Sequence, residues 1–199
     1  MKLAAAFAAP IMTLALIAAA PTAIATPAAG QALHPQGTEA QRKAMEAFAW
    51  MDGEWRGTAE AMTGPGQTHT VVHTERIGPM LGGSIKIIEG RSYNADGSVA
   101  FNAFAVLSWD EANSRYVMRS YANGQAQDFP LEGGADGFRW TVPSRGGEIR
   151  YVTTYKNGEW NELGHFVAEG REPMQVVKLT LRRTGDTGWP AANPVPPTP

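Results

Sequence analysis

The chain has 199 residues, a formal net charge of −2 and no cysteine. A weakly acidic chain lacks the basic face that nucleic acids require, so we expect no nucleic-acid partner. Without cysteine there is no disulfide, no thiolate nucleophile and no cysteine-ligated metal, so apolar burial must stabilise the fold.

The N-terminus has the pattern of a cleaved secretory signal. Lys2 gives a positive start, residues 3–20 are apolar and alanine-rich, and Ala23 and Ala25 are small residues of the kind that a signal peptidase reads. Pro10 interrupts the apolar run, which favours cleavage over a membrane-spanning anchor. We predict a signal peptide at residues 1–25 and a periplasmic or secreted mature protein without membrane attachment.

The mature chain, about 170 residues long, is enough for one domain with a real core. Its ends are typical of linkers, because residues 26–37 are small and polar and residues 185–199 contain five prolines. We predict a linker at 26–37, one domain at 38–184 and a Pro-rich tail at 185–199. Trp189 in the tail is expected to fold back onto the domain wall, with an exposed anchor for a partner as the alternative.

The first predicted element is a short helix that Thr38 can cap, with Gln41 three residues on. Asp52 and Gly53 are expected to end it. Ten segments with period-two alternation follow, separated by turns that include Asn123-Gly124 and Asn157-Gly158. They span 54–61, 69–77, 84–93, 98–109, 115–121, 125–130, 138–143, 148–155, 159–168 and 174–183. No connection is long enough for a parallel crossover, so the pattern predicts an all-β, antiparallel up-and-down barrel of about ten strands.

The first and last strands show which residues face inward. Trp55, Gly57 and Ala59 share one face, as do Val177, Leu179 and Leu181 in the last strand. Residues 103–107 are apolar on both faces, so the helix, the tail or a second subunit in a homodimer should cover part of the outer wall.

The segments Gly53-Glu54-Trp55 and Leu181-Arg182-Arg183 resemble the calycin superfamily of lipocalins and fatty-acid-binding proteins. In that superfamily a basic side chain from the end of the last strand packs on a tryptophan at the start of strand one. The resemblance implies barrel closure by Arg183 stacking on Trp55, with Arg182 as the second choice.

A closer resemblance covers most of the mature chain, at residues 75–83, 109–121, 138–140, 149–151 and 186–192. These segments resemble an exported lipocalin-like bacterial family known as a domain of unknown function. The resemblance implies the calycin-like fold and the exported location, and it implies no activity.

A more distant similarity is to nitrobindin-like barrels, where a histidine near the barrel rim holds haem. This similarity makes His165, in the ninth predicted strand, the residue to test. No cofactor is predicted otherwise. On a strand, His69 and His73 lie about 13 Å apart and cannot share one metal ion, so they are interpreted as surface or rim histidines. A His73/Glu75 pair could bind a metal only with a third ligand from another strand. No metal site is predicted.

Polar side chains in the middle strands could fix the polar end of a ligand inside the barrel. The candidates are Glu75, Arg119 and Glu162, with salt bridges on the outer wall as the alternative. Aromatic side chains, Trp140 and Tyr151 among them, could line a cavity or fill a plain core.

The leading functional hypothesis is non-enzymatic binding of a small, mainly apolar molecule. An enzyme of the cyclase, isomerase or hydrolase type is the alternative, with Glu162, Glu75 or His165 as its acid or base. The sequence shows no nucleophile–base pair, because such residues converge only in the folded chain. A third hypothesis is an interaction module with a filled core.

Overall fold

The computed structural model describes residues 37–192 and residue 195. The predicted signal peptide, His34 and most of the linker lie outside the described residues. Within the described residues, one helix, two short 3₁₀ turns and ten strands make up the fold. Their bounds are α1 Glu39–Glu46, a first turn Ala49–Met51, β1 Gly53–Gly64, β2 Gln67–Met80, a second turn Leu81–Gly83, β3 Ile85–Tyr93, β4 Val99–Asp110, β5 Arg115–Ala122, β6 Gln125–Gly134, β7 Gly137–Ser144, β8 Gly147–Lys156, β9 Glu159–Val167 and β10 Met174–Gly185.

The ten strands form one closed antiparallel barrel. Each strand pairs with its neighbours in sequence, and β1 closes the ring by pairing with β10 from Glu54 to Ala61. Alternate residues therefore face the inside and the outside all round the ring. The predicted up-and-down barrel of about ten strands is confirmed.

The ladder between β6 and β7 is short. It joins Leu131–Gly134 only to Gly137–Trp140, so residues 125–130 of β6 and 141–144 of β7 pair only with their other neighbours. Pro130 lies where β6 leaves β7, and its missing N–H is not needed there. The barrel wall therefore has a gap in its hydrogen bonding between these two segments, here called the seam.

The N-terminal helix begins where the sequence predicts. Thr38 Oγ1 accepts a hydrogen bond from the Gln41 N–H at 3.1 Å, and the Gln41 side chain accepts one from the Thr38 N–H at 2.9 Å. The helix ends earlier than predicted, at Glu46, and the chain continues as the first 3₁₀ turn. The Tyr116 hydroxyl donates to the Ala44 carbonyl at 2.9 Å and ties the helix to β5.

The helix and the first 3₁₀ turn close one end of the barrel with a layer of apolar side chains, here called the floor. It consists of Met45, Phe48, Trp50, Met51 and Trp55. The Trp50 ring stacks on Tyr155 at 4.6 Å between centroids and meets Trp160 edge-on at 5.2 Å. These large aromatic side chains fill the end of the barrel and exclude water from it.

Arg183 closes the barrel by a contact that differs from the expected stacking. It pairs in register with Trp55, as the resemblance implies, but its Nε donates to the Asp52 carbonyl at 2.9 Å and its Nη2 to Asp186. Within residues 37–192, the arginines that lie over aromatic rings are Arg76 and Arg119, not Arg183. The Arg183 guanidinium therefore links β10 through hydrogen bonds to the backbone of Asp52, just before β1, and to Asp186.

The tail folds back onto the barrel, as predicted for Trp189. The Arg76 guanidinium lies 4.5 Å from the centre of the Trp189 ring, on the outer face of β2. At Gly78 a side chain would collide with the Trp189 carbonyl, at only 2.0 Å from an added Cβ. The glycine lets the tail cross the wall there, beside the buried Ile87 of β3.

No helix in the described part of the chain is long and apolar enough to cross a membrane.

Candidate functional site

Above the floor, the barrel encloses a cavity of about 770 Å³. Its wall is mainly apolar and includes small side chains, such as Ala59, Ala103 and Ala105, that leave the space open. His69, Asn123 and Gln125 line its far end and are exposed, so the cavity opens at the end opposite the floor. Gln127 and Val142 line it beside the seam between β6 and β7.

One side of the cavity carries a chain of hydrogen bonds that starts at β3. Ser92 Oγ lies 2.7 Å from His73 Nδ1, and His73 Nε2 lies 2.9 Å from Glu75 Oε1. His73 and Ser92 face each other across the β2–β3 ladder, and Glu75 follows His73 on the same inward face. Gly90, opposite Glu75, leaves room for the carboxylate, because an added Cβ would lie 2.7 Å from Glu75 Oε1.

A second carboxyl group, that of Glu162 on β9, enters the cavity from another side. The Thr153 hydroxyl donates to its Oε2 at 2.5 Å, and the Trp140 indole N–H lies 3.5 Å from the same oxygen. Burial raises the pKa of Glu162, and the nearby Glu75 carboxylate raises it further, against the lowering effect of these hydrogen bonds and of His73. Glu162 therefore keeps its proton to a higher pH than an ordinary glutamate does.

Two aromatic rings stand beside Glu162. Trp140 and Tyr151 are cross-strand neighbours and stack at 4.4 Å with an angle of 13° between the rings. Burial and the nearby Glu162 raise the pKa of Tyr151 to about 12, so the hydroxyl keeps its proton. Gly164 makes room for this ring, because an added Cβ would lie 2.8 Å from Tyr151 Cε1.

Two buried polar atoms on the cavity wall have no hydrogen-bond partner among the described residues. They are Glu75 Oε2, an acceptor, and Trp160 Nε1, a donor. A buried polar atom without a partner costs about 1–3 kcal/mol, so folded chains usually pair it. Both atoms therefore point to a group that the barrel itself does not provide.

The structure places four of the six tentative ligand-binding residues on the cavity wall: Glu75, Trp140, Tyr151 and Glu162. Arg119 lies on the outer face of β5, where it donates to Asp128 at 3.1 Å and to the Tyr121 hydroxyl at 3.0 Å. His165 pairs with the outward Arg150 and does not line the cavity. The middle strands are mixed in polarity, so only the register shows which face each residue takes.

The placement of His165 does not fit a haem held inside the barrel by that residue. His73, interpreted from sequence as a rim histidine, is instead buried in the wall, and both ring nitrogens already have partners. His69 does lie at the rim, 3.4 Å from Asn94 Oδ1. Within residues 37–192 there is no group of three or more histidines and carboxylates placed to hold a metal ion.

Sequence reasoning missed Ser92, Thr153 and the packing role of Gly90. Each of them faces an ionisable residue across a strand pair, and each is a common residue type in strands and turns. The register of the ladders is the only signal that could have found them, and the register depends on the closed barrel.

Comparisons with known proteins bear on the fold. No family model matches the chain, and no curated protein sequence matches it. Among solved structures, the chain is similar to Rv2717c from M. tuberculosis, with a TM-score of 0.54 and 11% sequence identity. The match covers 71% of this chain and 97% of that one. At this identity the likeness shows the barrel fold alone.

Proposed function

We propose that the protein is an exported binding protein that holds a small, mainly apolar molecule inside its barrel. The observation that carries this proposal is the cavity of about 770 Å³, which lies within the 300–1,000 Å³ typical of ligand sites. Its wall combines apolar and aromatic side chains with a few polar groups, as such sites do. A filled-core interaction module is less well supported, because the core of this barrel is open.

The exported location and the calycin-like relationship are parts of the same proposal. Export rests on the N-terminal pattern of Lys2, the apolar run and the small residues at positions 23 and 25. The relationship rests on the sequence segments that resemble the lipocalin-like family and on the closed barrel with its N-terminal helix.

A fluorescent probe tests the binding proposal directly. N-phenyl-1-naphthylamine is neutral and apolar, and it becomes bright when it leaves water. We expect saturable brightening with the wild-type protein and its loss in Ala103→Phe, which fills the cavity from β4. Val152→Phe, a similar enlargement on the exposed outer face of β8, is the matched control and should bind like wild type.

Thermal melting of each variant confirms that the barrel is folded. Binding that Ala103→Phe leaves unchanged, or no saturable binding by wild type, would contradict the proposal. Native mass spectrometry of protein purified from its own periplasm then identifies the natural occupant, as an extra mass that is lost on denaturation.

The hydrogen-bonded chain Ser92–His73–Glu75 supports a second candidate function, ester hydrolysis in the same cavity. The distances of 2.7 and 2.9 Å fit a serine nucleophile, a histidine base and a carboxylate that orients the base. Ser92 Oγ would add to the ester carbonyl while His73 takes its proton, and the alcohol would leave with that proton. Water would then hydrolyse the acyl-serine and regenerate the free hydroxyl.

Hydrolysis of p-nitrophenyl butyrate tests this second candidate. We expect Ser92→Ala to abolish turnover and labelling by a fluorophosphonate, whereas Ser120→Ala, also on the cavity wall, should retain both. Equal turnover in wild type and Ser92→Ala would exclude the serine mechanism.

A further inference from the structure

We propose that the occupant of the cavity is a cationic amine, with an apolar body and one protonated amino group. This inference rests on the proposed binding function and adds the charge of the ligand. It comes from the charges on the cavity wall, from an unpartnered carboxylate oxygen and from the aromatic rings beside Glu162.

The wall carries more acid than base. Glu75 and Glu162 both line it, whereas no lysine or arginine of residues 37–192 does. Lys86, a buried lysine of β3 that does not line the cavity, donates to Asp52 at 2.5 Å. His73, when protonated, can balance only one of the two carboxylates. An anionic ligand would therefore face uncompensated negative charge, and a cation would complete the charge balance.

The Glu75 carboxylate offers a free acceptor for an ammonium group. Its Oε1 accepts from His73, while Oε2 is buried and has no partner in the described part of the chain. An ammonium N–H would satisfy this oxygen with a charge-assisted bond, which is about twice as strong as a neutral one. A donor on the ligand would thus give Glu75 Oε2 the hydrogen-bond partner that it lacks among the described residues.

The aromatic rings next to Glu162 suit the same cation. The stacked pair of Trp140 and Tyr151 presents π faces within the cavity wall, and Trp140 also touches the Glu162 carboxyl. A desolvated cation on such a face is attracted by the negative potential of the aromatic ring. Carboxyl groups and aromatic faces in one cavity form the usual recognition site of an amine, while the remaining apolar wall takes the hydrocarbon body.

Amine binding should release a proton from Glu162. The groups that act on this carboxyl are Thr153 and Tyr151 on β8, Trp140 on β7, and His73 and Glu75 on β2. Burial and Glu75 raise the pKa of Glu162, and a bound cation favours the ionised form and lowers it again. The affinity for an amine should therefore rise as pH rises through the pKa of Glu162 in the free protein.

A matched ligand series tests the inference on the intact mature protein by isothermal titration calorimetry. The probes are 2-(1-naphthyl)ethylammonium, 2-(1-naphthyl)ethanol and 1-naphthylacetate, which share one apolar body. We expect the ammonium to bind about tenfold tighter than the alcohol, and the carboxylate to bind weakest. Titration in buffers of different ionisation enthalpy should show the released proton.

Isosteric variants locate the effect. Glu75→Gln and Glu162→Gln should each weaken ammonium binding about tenfold and leave the alcohol within about twofold of wild type. Only Glu162→Gln should lose the proton release. Glu132→Gln, the same change on the outer face of β6, is the control and should leave every affinity unchanged.

The outcomes separate the two proposals. Alcohol or carboxylate binding that equals or exceeds ammonium binding would overturn the amine inference and leave the binding function in place. The same holds if N-phenyl-1-naphthylamine binds in the cavity and the ammonium does not. Failure of that neutral probe and of all three naphthyl ligands would overturn the binding function itself. The wild-type series and its pH dependence need no variant, so a variant that fails to fold does not block the test.

Discussion

At the floor, Trp50 and Trp55 donate their indole N–H groups to backbone carbonyls at 3.0 and 2.8 Å, and Trp55 is 1% exposed. On the cavity wall, Glu75 Oε2 on β2 and Trp160 Nε1 on β9 are buried without partners in the described part of the chain. The floor is thus complete within the chain, whereas the wall keeps polar atoms that a ligand could pair. The difference teaches that the chain pairs the buried indole N–H groups of its floor itself, whereas the described part of the cavity wall keeps two buried polar atoms unpaired.

The largest effect should come from opening the floor. Phe48 is fully buried and meets Tyr116 at 4.8 Å between ring centroids, so Phe48→Ala should lower the free energy of unfolding by about 3–5 kcal/mol. Urea denaturation measures this loss. Phe104→Ala on the outer wall, where the ring is 38% exposed, should cost less than about 1 kcal/mol. Similar losses of unfolding free energy in the two variants would show that the floor stabilises the fold no more than the outer wall does.

A second test removes the charge that balances Lys86. The Lys86 side chain is 4% exposed and donates to Asp52, so Asp52→Asn leaves a buried ammonium without its counter-charge. We expect a loss of about 2 kcal/mol in urea denaturation, below the full cost for a buried pair because Asp52 is partly hydrated. Glu132→Gln, which breaks an exposed pair with Arg139, should change stability by no more than about 0.5 kcal/mol. Asp52→Asn with wild-type stability would show that the pair adds nothing to the floor.

A third test should show the opposite sign, because it removes an unfavourable charge from the wall. The pKa of Glu162 is higher in the folded protein than its ordinary value of 4.5, chiefly through burial. Its contribution to stability is therefore full below pH 4.5 and is lost as pH rises through the folded pKa. Glu162→Gln cannot ionise, so it should gain stability over wild type as pH rises through this interval. Urea denaturation at a series of pH values checks this, and parallel pH curves for the two proteins would contradict it.

The smallest effect concerns the tail on the outer wall. Arg76→Gln removes the cation over Trp189 and should cost about 0.5 kcal/mol, since the contact is partly exposed. Hydrogen exchange of residues 186–192 should quicken, while exchange at the floor stays unchanged. Arg150→Gln, which breaks another ion pair on the outer wall, is the control. Unchanged exchange in the tail of Arg76→Gln would show that Trp189 does not depend on the cation.

The strands could be predicted from the sequence because clear turn signals, such as Asn-Gly pairs, separate them. All ten predicted strands are present, and most boundaries agree within three residues. The largest error is at β6, predicted to end at Pro130, whereas the strand continues to Gly134. Proline is tolerated there because β6 has not yet begun to pair with β7, so no partner needs its N–H. Sequence alone does not show which neighbour a strand lacks at a given residue.

The candidate site was only partly readable. Trp140, Tyr151, Glu75 and Glu162 were singled out and do line the cavity, but Arg119 was placed with them and lies outside. Glu75 and Glu162 are far apart in sequence and lie on β2 and β9, which are separated in the sheet by β1 and β10. Closure of the ring sets these two carboxyls into one cavity, where the Glu75 carboxylate raises the pKa of Glu162.

The sequence by itself determined the local structure: a capped helix, ten short strands, their turns, and the inward faces of β1 and β10, where apolar and polar residues alternate cleanly. Only the tertiary structure decided which polar side chains of the middle strands face inward, that Ser92 meets His73, and that the core is open above an aromatic floor. The reason is physical. Alternation along one strand is a local property, whereas register and ring closure depend on contacts between residues distant in the chain.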